Sequence, residues 1–187
     1  LFVDLENTDK TRKALQISAH SFARELLTFA AKEGVVKCAW AFAKSWHFSG
    51  SEWFHLKLEL ERGGLDVEST PEELRRRGGS EKNLVDMMIN DQIKEEVEDK
   101  SLTRLVLVTG DVDHYMMVKR SLERGLRVVL IGASQASLAK VYGQLAEQRL
   151  QLARSEGRAE TDFLVTTLGN VVHSNADAEV EPEEGSA

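Results

Sequence analysis

Apolar residues along the chain fall into two alternating patterns. Short, nearly continuous apolar runs, typical of strands buried on both faces of a sheet, occur at residues 1–5, 35–42, 65–67, 102–108 and 126–131. Segments with apolar residues at steps of three and four, typical of helices, lie at residues 51–60, 83–98, 111–124 and 134–155. This alternation predicts a three-layer α/β/α sandwich with a central, mainly parallel sheet.

The first helix is predicted to be long. Thr8 or Asp9 can cap its start, and Gly34 ends it. Its apolar stripe consists of Leu15, Ala19, Phe22, Leu26 and Phe29. The stripe is not interrupted, so we expect one helix that runs to about Glu33.

The folded body is predicted to be one domain over residues 1–175, followed by an acidic disordered tail or linker at residues 176–187. The net charge is −7, and five acidic residues lie among the last eleven, so residues 1–176 carry only −2. Residues 163–172 form a last short apolar segment before this tail. Residues 70–82 contain Pro71 and two glycines and are predicted to be a loop.

Composition excludes several classes of protein. An apolar content of 42% in 187 residues is enough for a core and excludes overall disorder. No apolar run approaches the roughly 18 residues of a membrane helix. Cys38 is the only cysteine, which excludes an internal disulfide and a multi-cysteine zinc site. We expect an intracellular, cytoplasmic protein whose natural chain continues beyond these residues, with further domains.

Acidic and polar residues follow two predicted strands at the edge where such sheets bind ligands. These residues are Asp4, Glu6, Asn7, Thr109, Asp111 and Asp113. Carboxylates on neighbouring strand ends repel one another unless a cation lies between them. Oxygen ligands without cysteine or a histidine pair favour Mg²⁺ or Mn²⁺ over Zn²⁺. The other interpretation is that these acids cap the helices that follow them.

Three motifs, in this order, give the chain a family resemblance. They are residues 4–7 after the first strand, Lys82 with Val85 and Asp86 at a helix start, and residues 107–113 followed by Gly125 and the strand at 127–132. Together they resemble the NYN domain, a branch of the PIN-like nucleases, over residues 1–172. The resemblance implies a PIN-like fold and a metal-dependent endoribonuclease.

The resemblance also implies the residues of the site. Asp4, Asp86, Asp111 and Asp113 would be catalytic and would gather around one or two Mg²⁺ or Mn²⁺ ions. Such ions neutralise the phosphate of the RNA and activate a water molecule. The secondary residues of the site, as ligands or water-holding groups, would be Glu6, Asn7, Asn90, Thr109 and His114.

Helix geometry separates two polar residues near Asp86. At about 100° per residue, Asn90 returns to the face of Asp86, while Asp91 points away from it. Asn90 is therefore the expected neighbour of Asp86. His114 stands where the family usually has an aromatic apolar residue, and it could hydrogen-bond a phosphate or move a proton.

Basic residues near these motifs are candidates for binding RNA, which we expect to be single-stranded. They are Arg12 and Lys13 on the first helix, Arg75, Arg76 and Arg77 in the glycine-rich loop, and Lys82. The alternative is that these charges form an ordinary solvated surface.

Two other functions remain open at this point. One is a catalytically weak or inactive nuclease-like domain that binds RNA or a protein partner. Three residues depart from the family pattern: the second acid of the helix is displaced at Asp91, His114 replaces an aromatic residue, and Leu5 stands where a glycine is often found. The other is a phosphatase of the haloacid dehalogenase type, whose nucleophile loop residues 4–8 faintly resemble. A homodimer formed through the helix at residues 134–155 is a further expectation for partners.

Overall fold

The computed structural model describes residues 1–70, 84–98 and 102–176, with the side chains of residues 173–176 excepted. This part of the chain contains one six-stranded sheet in which every neighbouring pair of strands is parallel. The strands are β1 (Phe2–Asp4), β2 (Trp40–Ala43), β3 (Asp66–Ser69), β4 (Arg104–Val108), β5 (Arg127–Gly132) and β6 (Phe163–Thr167). The predicted parallel sheet is confirmed.

Seven α-helices flank the sheet within the described ranges. They are α1 (Leu5–Ala14), α2 (Ala19–Glu33), α3 (Gly50–Arg62), α4 (Leu84–Glu98), α5 (Tyr115–Glu123), α6 (Lys140–Ser155) and α7 (Leu168–Ala176). Short 3-10 helices occur at Ser45–His47, Val112–His114 and Gln135–Ser137. None of the helices described here has the length and apolar character needed to cross a membrane.

The sheet separates two apolar cores, which makes the fold a three-layer α/β/α sandwich. Alternate residues of a strand point to opposite faces, so Val3 and Val106 pack with α2, α3 and α7, whereas Phe2 and Leu107 pack with α4, α5 and α6. All four side chains are at most 5% exposed. Burial on both faces explains why these strands are apolar almost throughout.

The first predicted helix is in fact two helices. The expectation of one helix from Thr8 or Asp9 to residue 33 was wrong, because α1 begins directly after Asp4 and the chain breaks after it. Gln16 has a positive φ of 56°, which no helix accommodates, and Ser18 then caps the start of α2. The predicted end of the helix at Gly34 is confirmed.

Other predicted elements have different boundaries. β2 begins only at Trp40, opposite Phe2 of β1, and Val35 before it is fully exposed. The segments predicted as helices from residues 111 and 134 both begin with a 3-10 turn. The last apolar segment divides into β6 and α7. Apart from Thr70, the predicted loop at residues 70–82 lies outside the described residues, as does the tail from residue 177.

The strand order β3-β2-β1-β4-β5-β6 places the reversal of winding between β1 and β4. From β1 the chain adds strands in one direction, and from β4 it adds them in the other. Parallel sheets bind ligands in the crevice that opens beyond the carboxyl ends of two such strands. Asp4 ends β1 and Thr109 directly follows β4, so both lie at this crevice.

Candidate metal centre

Asp4 is buried at the junction of β1 and α1, where it is 2% exposed. Its Oδ1 accepts hydrogen bonds from the backbone N–H groups of Glu6 (3.0 Å) and Asn7 (3.3 Å), so it caps α1. Its Oδ2 accepts hydrogen bonds from the side chains of Asn7 and, at 3.2 Å, Thr109. The carboxylate therefore caps a helix and is also held at the crevice.

Burial raises the pKa of Asp4 above its ordinary value, because the charged form loses its hydration. Hydrogen bonds from Asn7, and the neighbouring His114, oppose this rise, and the negative charge of Asp86 adds to it. A buried carboxylate next to a second one is a costly arrangement in the absence of positive charge. The local electrostatics of this site therefore favour a cation.

Asp86 and His114 lie beside Asp4. Asp86 is in the first turn of α4, and His114 ends the 3-10 helix that follows β4. The Nε2 atom of His114 lies 3.2 Å from Oδ1 of Asp86, and the imidazole ring is fully buried. One ligand atom from each of Asp4, Asp86 and His114 lies within 4.8 Å of the other two.

Asn90 holds the histidine from the opposite side. Its Oδ1 lies 3.0 Å from Nδ1 of His114, and its Nδ2 donates to the backbone carbonyl of Asp113 at 3.5 Å. Asp86 and Asn90, one helical turn apart on α4, thus face the same imidazole ring. Asp91, the next residue, is exposed to solvent.

Asp111 and Asp113 are at the rim of the crevice, and neither belongs to the group of close ligand atoms within the described residues. Asp111 is half-buried and Asp113 is exposed. Oδ1 of Asp111 accepts from the backbone N–H of Asp113 at 3.1 Å, and the N–H of Asp111 donates to the Thr109 hydroxyl at 3.2 Å. Asp111 therefore caps the 3-10 helix, as the capping interpretation expected.

Two contacts fix the turn that carries Asp111. The Tyr142 hydroxyl donates a hydrogen bond of 2.5 Å to the carbonyl of Asp111. Burial, together with the charges of Asp111 and Asp113, raises the pKa of this tyrosine well above its ordinary value. Gly110 packs so closely that a Cβ there would lie 2.3 Å from the carbonyl oxygen of Ser137. Only glycine fits this position without a shift of the backbone.

Glu6 pairs with Lys44 and is not part of the group of close ligand atoms found among the described residues. Its carboxylate accepts from the backbone N–H of Lys44 at 3.1 Å and from the ammonium group at 2.9 Å, and His47 Nδ1 lies 3.4 Å away. Lys44 is only 4% exposed. The sequence interpretation did not include Lys44, although its position directly after β2 placed it at the same edge of the sheet.

The proposed RNA-binding residues fall into two groups. Arg12 is 9% exposed, and it donates to Asp9 at 2.8 Å and to the carbonyl of Ile17 at 2.7 Å, so its guanidinium belongs to the fold. Lys13 is half-exposed and forms ion pairs with Asp9 and Glu52. The remaining residues, Arg75, Arg76, Arg77 and Lys82, lie outside the described residues.

A family model described as the NYN domain matches residues 1–150, which is more than half of the chain. The matched range contains Asp4, Asp86, Asn90 and His114, whereas β6 and α7 extend the fold beyond it. A comparison with curated proteins found no match, and a comparison with solved structures also found none.

Proposed function

The chain belongs to the NYN domain family, and on this basis we propose that it is a metal-dependent ribonuclease that hydrolyses phosphodiester bonds of RNA. The observation that carries the proposal is the meeting of Asp4, Asp86 and His114 at the crevice between β1 and β4. The family has a nuclease-like fold, and this crevice is where a parallel sheet of this type binds its ligand.

The donor set fits a divalent cation. Two carboxylates and one imidazole nitrogen converge, and Nε2 of the buried His114 has no hydrogen-bond partner in the described part of the chain. Two neighbouring ligands of one octahedral ion lie about 3 Å apart, close to the 3.2 Å between His114 and Asp86. When bound, the ion supplies positive charge that stabilises the phosphodiester during hydrolysis.

The protein side chains position this centre and the substrate. Asn7 and Thr109 hold the carboxylate of Asp4, and Tyr142 holds the turn with Asp111. In our proposal Asp111 and Asp113, at the rim of the crevice, hold a second ion or orient water. Lys13, with the basic residues at positions 75–77 and 82, contacts the phosphates of single-stranded RNA.

The geometry of Asp4 argues against a phosphatase in which this residue is the nucleophile. A nucleophilic carboxylate must reach the phosphorus atom of the substrate. Asp4 is 2% exposed, and both of its oxygens already accept hydrogen bonds.

Binding of RNA without hydrolysis is the second candidate function. The observation that favours it is the position of Asp111 and Asp113 outside the close group of ligand atoms in the described residues. An assay that measures cleavage and binding on the same RNA distinguishes the two functions.

The experiment is a titration of Mg²⁺ or Mn²⁺ with a fluorescent single-stranded RNA. Asp86→Asn removes a ligand, and Asp91→Asn, five positions along the same helix on an exposed site, is the matched control. We expect Asp86→Asn to lose about 100-fold or more in cleavage rate while it retains RNA binding, because the ion contributes several kcal/mol. Asp91→Asn should cleave as the native chain does.

Two results would count against the proposal. Metal-dependent cleavage that survives in Asp86→Asn would show that the activity does not use this centre. RNA binding without cleavage under every metal would establish the RNA-binding domain instead.

A further inference from the structure

His114 is the most buried member of the Asp4, Asp86 and His114 group, with an exposure of 0%. Its Nδ1 is bound to Asn90, but its Nε2 has no hydrogen-bond partner among the residues that the structure describes. Oδ1 of Asp86 lies 3.2 Å from Nε2 without hydrogen-bond geometry. A buried ring nitrogen with no partner is costly unless something else binds it.

Asn90 determines which ring nitrogen carries the proton. Because Nδ2 of Asn90 donates to the carbonyl of Asp113, its Oδ1 faces His114 and can only accept. Nδ1 of the ring must then be the N–H donor, and in the neutral ring Nε2 carries the lone pair. Histidines that bind metals have this arrangement, in which the second nitrogen donates to an outer partner.

The lone pair of Nε2 therefore lies in the same small volume as the carboxylates of Asp4 and Asp86. Three electron-rich atoms repel one another without a cation. An oxygen beside the nitrogen, rather than in line with a ring N–H, is the geometry of two ligands that share an ion.

We propose that Nε2 of His114 is a direct metal ligand together with Asp4 and Asp86, and that the centre prefers a transition-metal cation such as Mn²⁺ or Co²⁺ to Mg²⁺. This inference rests on the proposed function, whose metal it specifies. An imidazole nitrogen is a softer donor than oxygen, and it strengthens the binding of transition metals much more than that of Mg²⁺. Asn90 is the positioning residue for the ligand.

The experiment is pulsed electron paramagnetic resonance on the full chain loaded with Mn²⁺. We expect a nitrogen hyperfine coupling from a coordinated imidazole, which changes when histidine is labelled with ¹⁵N. The chain has five histidines, so His114→Phe, which keeps a ring of similar size, identifies the source. The coupling should disappear in this variant.

Calorimetric titrations give the second readout. We expect Mn²⁺ to bind at least about tenfold tighter than Mg²⁺ to the native chain, and His114→Phe to reduce Mn²⁺ affinity far more than Mg²⁺ affinity. Asn90→Leu should reduce the affinity for Mn²⁺ by about 10- to 100-fold. Asn90→Asp, which keeps an acceptor for Nδ1–H, is the matched control and should retain the nitrogen coupling.

The outcomes separate this inference from the proposed function. Bound Mn²⁺ without nitrogen coupling, in a chain that cleaves RNA, would overturn the inference that His114 is a metal ligand and would leave the proposed ribonuclease activity intact. Nitrogen coupling from His114 without cleavage would support the ligand and overturn the nuclease. If neither Mn²⁺ nor Mg²⁺ binds, both are wrong. If His114→Phe does not fold, the absence of nitrogen coupling in the native chain still overturns the inference, and a coupling that changes in Asn90→Leu is assigned to this histidine, because Asn90 contacts His114.

Discussion

The hydroxyl of Thr109 donates a 3.2 Å hydrogen bond to Oδ2 of Asp4, although the two residues are 105 positions apart in the sequence. The same hydroxyl accepts from the backbone N–H of Asp111 at 3.2 Å. One buried side chain thus joins the end of β1 to the turn after β4. It connects the two strands at the point where the winding of the sheet reverses, and it orients a proposed metal ligand.

Thr109→Val keeps the shape of this side chain but removes both hydrogen bonds. We expect a loss of about 1 to 3 kcal/mol in the free energy of unfolding, because a buried carboxylate and a backbone N–H each lose a partner. Mn²⁺ affinity should also fall, since Asp4 loses a constraint. Urea denaturation and calorimetry measure the two effects. Thr109→Ser, which keeps the hydroxyl, is the control, and equal stability of all three proteins would contradict the prediction.

A bound divalent ion should stabilise the fold itself. At an ion concentration about 100 times the dissociation constant, binding to the native state contributes about 2.7 kcal/mol. For a chain of this size that corresponds to an increase in Tm of roughly 5 to 10 °C. Differential scanning fluorimetry with Mn²⁺, and then with excess chelator, measures it. Asp4→Asn should show no increase, whereas Asp91→Asn should show the full one; an increase of equal size in Asp4→Asn would contradict the assignment.

The ion pair between Arg149 and Asp162 gives a prediction on pH. Arg149 of α6 donates to Asp162, just before β6, at 2.8 Å and lowers the pKa of that carboxyl below its ordinary value of 3.8. A carboxyl with a lowered pKa in the native state stabilises the fold above its unfolded pKa, and this contribution disappears as the pH falls through the native pKa. Asp162→Asn should therefore cost roughly 1 kcal/mol at pH 7 and progressively less below about pH 4.

Urea denaturation of the native chain and of Asp162→Asn, from pH 7 to pH 3, tests how the cost in stability depends on pH. Glu160→Gln is the control, because Glu160 pairs with Arg127 but is 72% exposed and should change stability little. A cost of Asp162→Asn that stays constant over the whole pH range would contradict the linkage.

The order and type of most elements could be predicted because strands buried on both faces are apolar almost throughout. The break between α1 and α2 could not, because the stripe of Ala19, Phe22 and Leu26 continues the spacing of Leu15 across it. In the structure Leu15 is 39% exposed, while the other three are buried. The spacing carries no information on the positive φ of Gln16, which decides the break.

The candidate site, like the fold, could be predicted only in part from the sequence. Asp4 and Asp86 could be placed because a strand end and a helix start have defined positions in a parallel sheet. The central position of His114 depends on a 3-10 turn and on the side chain of Asn90. A pattern of residue types does not specify either feature, so His114 was expected only as a secondary residue.

Lys44 and Glu6 give the last prediction, which concerns a residue interpreted from the sequence as a secondary metal ligand. The Lys44 side chain is 6% exposed and that of Glu6 is 22% exposed, and their charged atoms lie 2.9 Å apart. Glu6→Gln leaves a buried ammonium group without its counter-charge and should cost about 3 kcal/mol or more. Glu6→Leu combined with Lys44→Met should cost clearly less than the sum of the two single changes, because no unpaired charge remains buried. Chemical denaturation of the native chain, Glu6→Leu, Lys44→Met and the double variant measures the coupling energy between the two side chains.

Titration of Glu6→Gln with Mn²⁺ gives the functional readout. If Glu6 serves Lys44 and not the metal, the affinity for Mn²⁺ stays near the native value while stability falls; a large loss of affinity with little loss of stability would return Glu6 to the metal centre.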